Sequence, residues 1–295
     1  GNSAVVVILV GAGSWRGGRR RCESHSRGGK IAAARSGGYS GTLTSSNLDV
    51  KAYLERINYH GPLDVSAETL RQLQVAHLFN VPFENLSIHA HEPIVLDDEA
   101  LFGKIVERRR GGFCYEANGA FASLLRALGF EVTMLSAEVA RPAGDFSPPF
   151  DHLALLVRLE QPWLVDVGFG ESFVEPLRLD VAGEQIDGEQ AFKIVSAGEY
   201  RVLLRRDNDE WKPLYRFTLT PHEFPDYEEM SQFHQTSPQS HFTQNRICSL
   251  ATPDGRVTLS GMRLIVTSKD GREERTLASQ EEYDKILREQ FGIVL

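Results

Sequence analysis

Arg110-Gly111-Gly112-Phe113-Cys114-Tyr115-Glu116-Ala117-Asn118 sets two glycines directly before a cysteine, and the residues after that cysteine carry a helical period. Ala117, Phe121, Leu124, Leu125 and Leu128 recur at that spacing, and Gly129 stands where such a helix stops. Cys114 therefore falls in the first turn, where unpaired backbone N–H groups and the positive end of the helix dipole favour an anion. That environment lowers a thiol pKa and yields a nucleophilic thiolate. The glycines permit close approach of backbone, so a substrate could reach the sulfur. The same residues also suit a buried core cysteine, the commoner place for a free thiol.

Upstream of this stretch the chain reads as helices. Asn47-Leu48-Asp49 caps a helix running through Leu54 and Ile57 to Gly61-Pro62, and Ser66 opens another that closes at Asn80-Val81-Pro82. Phe83-Glu84-Asn85-Leu86 reads as a loop, and Asp97-Asp98-Glu99 opens a third helix that reaches the basic run Arg108-Arg109-Arg110. Beyond Gly129 the period changes to two. Val132–Leu135, His152–Leu159, Trp163–Val167, Gln190–Val195, Tyr200–Arg205 and Leu214–Leu219 read as strands. A Pro- and polar-rich stretch from Pro221 to Gln239 follows, then strands at Arg246–Cys248 and Arg263–Thr267 and a last helix at Ser279–Gln290. Helices followed by strands predict an α+β fold with segregated layers, not a doubly wound sheet.

The 295 residues can bury a sizeable core, and a formal charge of −8 argues against nucleic acid as the main partner. Residues 1–46 stand apart. They hold ten of the 26 glycines, and seven basic residues against the single acid Glu23 give them +6, leaving −14 for the rest. They read as a disordered Gly/Arg-rich extension. Cys22, Cys114 and Cys248 form neither a disulfide framework nor a paired metal-ligand spacing, so no metal is expected and a reducing cytoplasm suits them. No apolar run approaches the roughly 20 residues that span a bilayer.

A nucleophilic cysteine needs a base, and the base needs an orienting group. His152 opens an apolar strand directly after Pro148-Pro149-Phe150-Asp151, and Asp166 lies inside Trp163-Leu164-Val165-Asp166-Val167-Gly168-Phe169-Gly170. A carboxylate within such a segment must be paired, because burying it unpaired is costly. Each residue also has a plainer reading, as a strand-end histidine and as a turn capper. A hairpin with an odd loop puts both on one face. A loop of Arg158-Leu159-Glu160 sets them opposite, whereas Glu160-Gln161-Pro162 offsets them by four residues, roughly 13 Å.

The Arg110–Asn118 stretch, the His152 strand and Trp163–Gly170 together resemble the arylamine N-acetyltransferase family. Pro82-Phe83-Glu84-Asn85-Leu86 and Ser237-Pro238-Gln239-Ser240-His241-Phe242 extend the resemblance from about Asn47 to the C-terminus. It implies a helical bundle (residues 47–130) with the nucleophile, a central antiparallel β-barrel-like domain (131–225) with the His and Asp, and a C-terminal α/β lid (226–295), around a cysteine-protease-like core. It further implies a transferase that uses acetyl-CoA and a small aromatic amine or hydrazine, with no nucleic acid and no membrane, through an acetyl-cysteine. Cys114 would be nucleophile, His152 base and acid, and Asp166 orienter. Arg110 and Glu84 would form an ion pair beside the site, and Phe83, Phe113 and Phe150 would line the acceptor pocket. A macrolactam-forming amide synthase of the same superfamily and a papain- or transglutaminase-like hydrolase are the competing enzymes. The acceptor, the residues that hold the CoA phosphates and the oligomeric state are not legible in the sequence.

Overall fold

A computed structural model describes residues 48–295, so the expected extension at 1–46 lies outside the described residues. α1 (Val50–Arg56) is capped by Asp49, whose Oδ1 accepts from Ala52 N at 3.0 Å, and α2 (Ala67–Asn80) by Ser66, whose Oγ accepts from Thr69 N. β1 (Phe83–Glu84), α3 (Leu86–His89) and α4 (Asp98–Phe102) follow, and α4 runs on as a π-helical turn over Gly103–Glu107. α5 (Cys114–Ala127) is buried from Cys114 to Leu125. The buried Arg56 guanidinium holds this region together, donating to the carbonyls of Ile105, Asn80 and Arg110.

Phe83–Leu86 is thus no simple loop. Phe83 faces Ser249 and Glu84 faces Cys248 in an antiparallel pair, which makes β1 the edge of a sheet built from the end of the chain. Two residues are too few to show a period of two, and their partner is remote in sequence.

Eight strands follow: β2 (Glu131–Val139), β3 (His152–Arg158), β4 (Pro162–Val165), β5 (Leu177–Arg178), β6 (Gln185–Asp187), β7 (Gln190–Ala197), β8 (Tyr200–Asp207) and β9 (Glu210–Phe217). They form one antiparallel sheet in the order β5-β4-β3-β2-β9-β8-β7-β6. The sheet curls until its edges meet, where the Gln185 side chain accepts from Arg178 N and donates to Arg178 O at 2.7 and 2.9 Å. The fold is therefore α+β around a nearly closed antiparallel barrel. β3 is buried on both faces. Ala154 and Leu156 pack inside the barrel with Phe192, Leu203 and Phe217, and Leu153, Leu155 and Val157 pack outward with Phe121, Leu124 and Leu125 of α5. This double burial explains its unbroken apolar run.

α6 (Phe224–Thr236) and α7 (His241–Gln244) lead to β10 (Ile247–Thr252), β11 (Gly255–Ser260), β12 (Arg263–Ser268) and β13 (Gly271–Thr276), which form the sheet β1-β10-β11-β12-β13. α8 (Gln280–Phe291), capped by Ser279, buries Tyr283, Ile286, Leu287 and Phe291 against Leu86, Cys248 and Leu259. α6 occupies the stretch that composition marks only as polar. Its inward residues are Tyr227, Ser231 and His234, so its buried face carries no apolar period. β13 is exposed throughout and β11 is only partly buried, which left both without an alternating pattern.

Candidate active site

The β3–β4 hairpin brings His152 and Asp166 together. Leu155 faces Val165 and Arg158 faces Pro162, so the turn is Leu159-Glu160-Gln161. This register lies between the two offsets that the sequence offers, and it still puts both residues on one face. Asp166 stands just beyond the end of β4 and would fall opposite Ala154, two residues along β3 from His152. Its Oδ2 lies 2.7 Å from His152 Nε2.

Three more donors converge on the Asp166 carboxylate. Tyr215 donates to Oδ2 at 3.0 Å, and Asn118 Nδ2 and Gly168 N donate to Oδ1, each at 2.9 Å. Burial opposes ionisation and is the largest single influence, but the neighbouring His152 and the hydrogen bonds from Asn118 and Gly168 outweigh it. The carboxyl therefore titrates below its ordinary value. Asn118 also donates to Leu153 O at 2.7 Å and accepts from Val167 N at 2.9 Å, tying α5 to both strands.

Cys114 opens α5 on a turn braced by buried charge. Glu116 accepts from Phe113 N at 3.1 Å with one oxygen and pairs with Lys104 Nζ at 2.6 Å through the other. Glu84 pairs with Arg110 at 2.9 Å and lies 3.9 Å from Lys104. Arg110 and Glu84 thus pair as expected. The sequence gives no role to Lys104 or Glu116, although Glu116 lies two residues after Cys114. The backbone fits too closely for larger residues: a Cβ on Gly111 would meet Pro82 O at 1.9 Å, and one on Gly168 would meet Cys114 Cα at 2.8 Å.

The helix start does not lower the thiol pKa as its position predicts. Cys114 is 3% exposed, and burial pushes the thiol well above its ordinary value. A hydrogen bond with the backbone at Leu153 opposes that rise, and the carboxylates of Asp151 and Asp166 add to it. Cys114 and His152 share the wall of a small cavity of about 20 Å³ with Phe83, Val139, Asp151, Gly168, Phe169 and Phe242. The described hydrogen bonds join His152 to Asp166 but not to Cys114.

Of the three phenylalanines expected in the pocket, Phe83 lines this cavity. Phe113 is fully buried behind it, edge-on to Tyr115 and Phe242 at 5.0 and 5.6 Å. Phe150 packs on His222 and Tyr227 at 4.9 and 5.3 Å. Phe169 and Phe242 take up cavity wall instead, and both lie within quoted motifs. Asp151, which the sequence shows only as the end of the loop before His152, also lines the cavity. A larger hollow of about 840 Å³ between α1 and α4 contains none of these residues. Among the described residues no group of three or more His, Cys, Asp or Glu side chains could hold a metal ion.

Residues 66–295 match the family described as N-acetyltransferase. The chain is similar to human arylamine N-acetyltransferase 1, with 36% identity over 277 residues covering 84% of this chain and 95% of the relative. It is 35% identical to the Mycolicibacterium smegmatis arylamine N-acetyltransferase, covering 84% and 93%. Its fold matches the Mycobacterium marinum arylamine N-acetyltransferase, solved alone and in complex with CoA. Each match has a TM-score of 0.78 and 35% identity and covers 83% of this chain and 93% of that one.

Proposed function

This chain belongs to the arylamine N-acetyltransferase family, and from that membership and the site we propose that it moves an acetyl group from acetyl-CoA to arylamines, arylhydrazines or arylhydroxylamines. The reaction runs through an acetyl-cysteine at Cys114. The observation that carries this reading is the His152 Nε2–Asp166 Oδ2 contact of 2.7 Å on the wall of the cavity that also holds Cys114.

With Nε2 held by Asp166, the other ring nitrogen, Nδ1, is left for the thiol. His152 takes the Cys114 proton, and Sγ attacks the thioester carbonyl of acetyl-CoA. The bond to CoA sulfur breaks, and CoA leaves with the proton from His152. The amine then attacks the acetyl-cysteine, His152 accepts its proton, and Cys114 is released. Backbone N–H groups at the start of α5 stabilise the tetrahedral oxyanion. Because the thiol is pushed up by burial, the nucleophile forms by proton transfer to His152 and not by free titration.

The working units are the segments 47–130, 131–225 and 226–295, the first bringing the nucleophile and the second the His–Asp pair. Among the described residues no helix is long and apolar enough to cross a membrane. Cys114 and Cys248 are both buried free thiols, which favours a cytoplasmic site of action. Intact-mass measurement after mixing with acetyl-CoA alone tests the reading. One acetyl group should add to the wild type and none to Cys114→Ala. An unmodified wild type, or an adduct that survives the substitution, overturns it.

A further inference from the structure

Beside the His152–Asp166 pair lies a second buried carboxylate and imidazole. Asp151 is 5% exposed and His234 1%, and His234 Nε2 lies 3.2 Å from Asp151 Oδ1, off the direction of a hydrogen bond. His234 Nδ1 is 3.1 Å from Ser240 Oγ, which also accepts from Phe242 N at 3.2 Å. Which of His234 Nδ1 and Ser240 Oγ is the donor depends on the tautomer of the ring. Ser240 and Phe242 belong to the Ser237–Phe242 motif, which the chemistry above leaves without a use.

Asp151 Oδ2 is fully buried and has no hydrogen-bond partner among the described residues, yet Asp151 lines the cavity with Cys114 and His152. A buried acceptor without a donor costs about 1–3 kcal/mol, so its retention at this wall calls for a reason. The loop that presents it is itself held in place. Phe150 sits at φ 66°, an uncommon conformation for an aromatic residue, with its N–H on Ser136 Oγ at 2.8 Å and its carbonyl on the Tyr115 hydroxyl at 2.6 Å.

Building on the proposed transferase function, we propose that Asp151 binds the acceptor amine, its Oδ2 taking a hydrogen bond from the amine N–H beside the acetylated Cys114. The lone pair of the amine nitrogen forms the C–N bond as the carbon–Sγ bond breaks. One N–H proton passes to His152 and on to the departing Cys114 thiolate. The second N–H stays on nitrogen and donates to Asp151, whose charge stabilises the positive nitrogen of the tetrahedral intermediate. Asp151 takes no proton. Acetyl-CoA has no N–H at its reacting atoms, so the first half-reaction makes no use of this group. Acceptors with two hydrogens on nitrogen are the favoured class.

The test follows the two half-reactions of Asp151→Asn by rapid-quench intact mass. The first reading is acetylation by acetyl-CoA, and the second is loss of the acetyl group to 4-methoxyaniline or to its N-methyl analogue. Aminolysis by the primary amine should fall at least about tenfold more than acetylation does. The preference for the primary over the N-methyl amine should shrink. Equal slowing of both half-reactions, or unchanged aminolysis, overturns the proposal. Asp151→Ser takes the place of Asp151→Asn if the latter does not fold. A wild type that takes no acetyl group from acetyl-CoA refutes the transferase function itself. An acetylated wild type whose variant loses nothing in aminolysis refutes only the role of Asp151.

Discussion

Asp166→Asn is the substitution that tests the site most severely. The wild-type carboxylate accepts four hydrogen bonds, two on each oxygen: His152 and Tyr215 on Oδ2, Asn118 and Gly168 on Oδ1. An amide keeps one acceptor oxygen and turns the other into a donor. Whichever way it flips, its NH2 faces two buried donors. Each unmet buried group costs about 1–3 kcal/mol, so the variant should lose about 2–6 kcal/mol of stability, read as a lower urea midpoint. Cys114 acetylation, measured by single-turnover mass spectrometry on the folded fraction, should slow by on the order of 10³–10⁴, as when a buried carboxylate that orients a catalytic histidine is neutralised. Tyr215→Phe removes a single donor and should cost only about 1 kcal/mol. The pH dependence carries the same sign. The folded pKa of Asp166 is depressed, so its contribution is present above the unfolded carboxyl value. It fades as pH falls through the lower folded one, and Asp166→Asn should lack that acid loss. Acetylation of the folded variant within about tenfold of wild type, a barrier change of about 1.4 kcal/mol, would refute the orienting role of Asp166.

Cys114→Ser should abolish CoA release from acetyl-CoA, because a serine hydroxyl is far less ionised beside the same imidazole. Lys104→Met leaves Glu116 buried without its 2.6 Å partner and should cost about 3–5 kcal/mol in chemical denaturation, with partial recovery in Lys104→Met/Glu116→Gln. Gly168→Ala places a methyl 2.6 Å from Asn118 Nδ2 and 2.8 Å from Cys114 Cα. It should lower the denaturation midpoint by about 1–3 kcal/mol and slow acetylation as well.

What the sequence discloses depends on how local the cause is. α2 and α8 are legible because Ser66 and Ser279 cap them, and α5 because its period ends at Gly129. β3 and β4 are legible as apolar runs, and parity alone puts His152 and Asp166 on one face. The register between them is not legible, since β3 and β4 also pair with β2 and β5, partners that the turn residues do not reveal. β1 is hidden because its pairing with β10 joins distant parts of the chain. Aromatic residues near a motif divide between the cavity wall and the packing around it. Phe83 lines the small cavity beside Cys114 together with Phe169 and Phe242, whereas Phe113 and Phe150 are engaged with other rings. Helix position also misjudges the thiol, because burial outweighs the helix start.

That last reversal bears on the chemistry. A thiol exposed at a helix start would ionise readily, but water would then have a path to the acetyl-cysteine and hydrolysis would compete with transfer. Burial removes both the ready thiolate and the water. In the proposed reaction His152, 2.7 Å from Asp166 through Nε2, would restore the nucleophile as a proton moves within the site. Asp166 is itself kept ionised first by His152 and then by hydrogen bonds from Asn118 of α5 and the Gly168 N–H, and Tyr215 of β9 also donates to it, so the barrel and the helical segment both bear on this carboxylate. The acetyl-enzyme should therefore persist far longer in buffer alone than with an added arylamine, whose N-acetyl product should appear as the adduct decays. Thioester hydrolysis at a steady rate indifferent to the amine would instead mark a hydrolase, and the burial of Cys114 would need another cause.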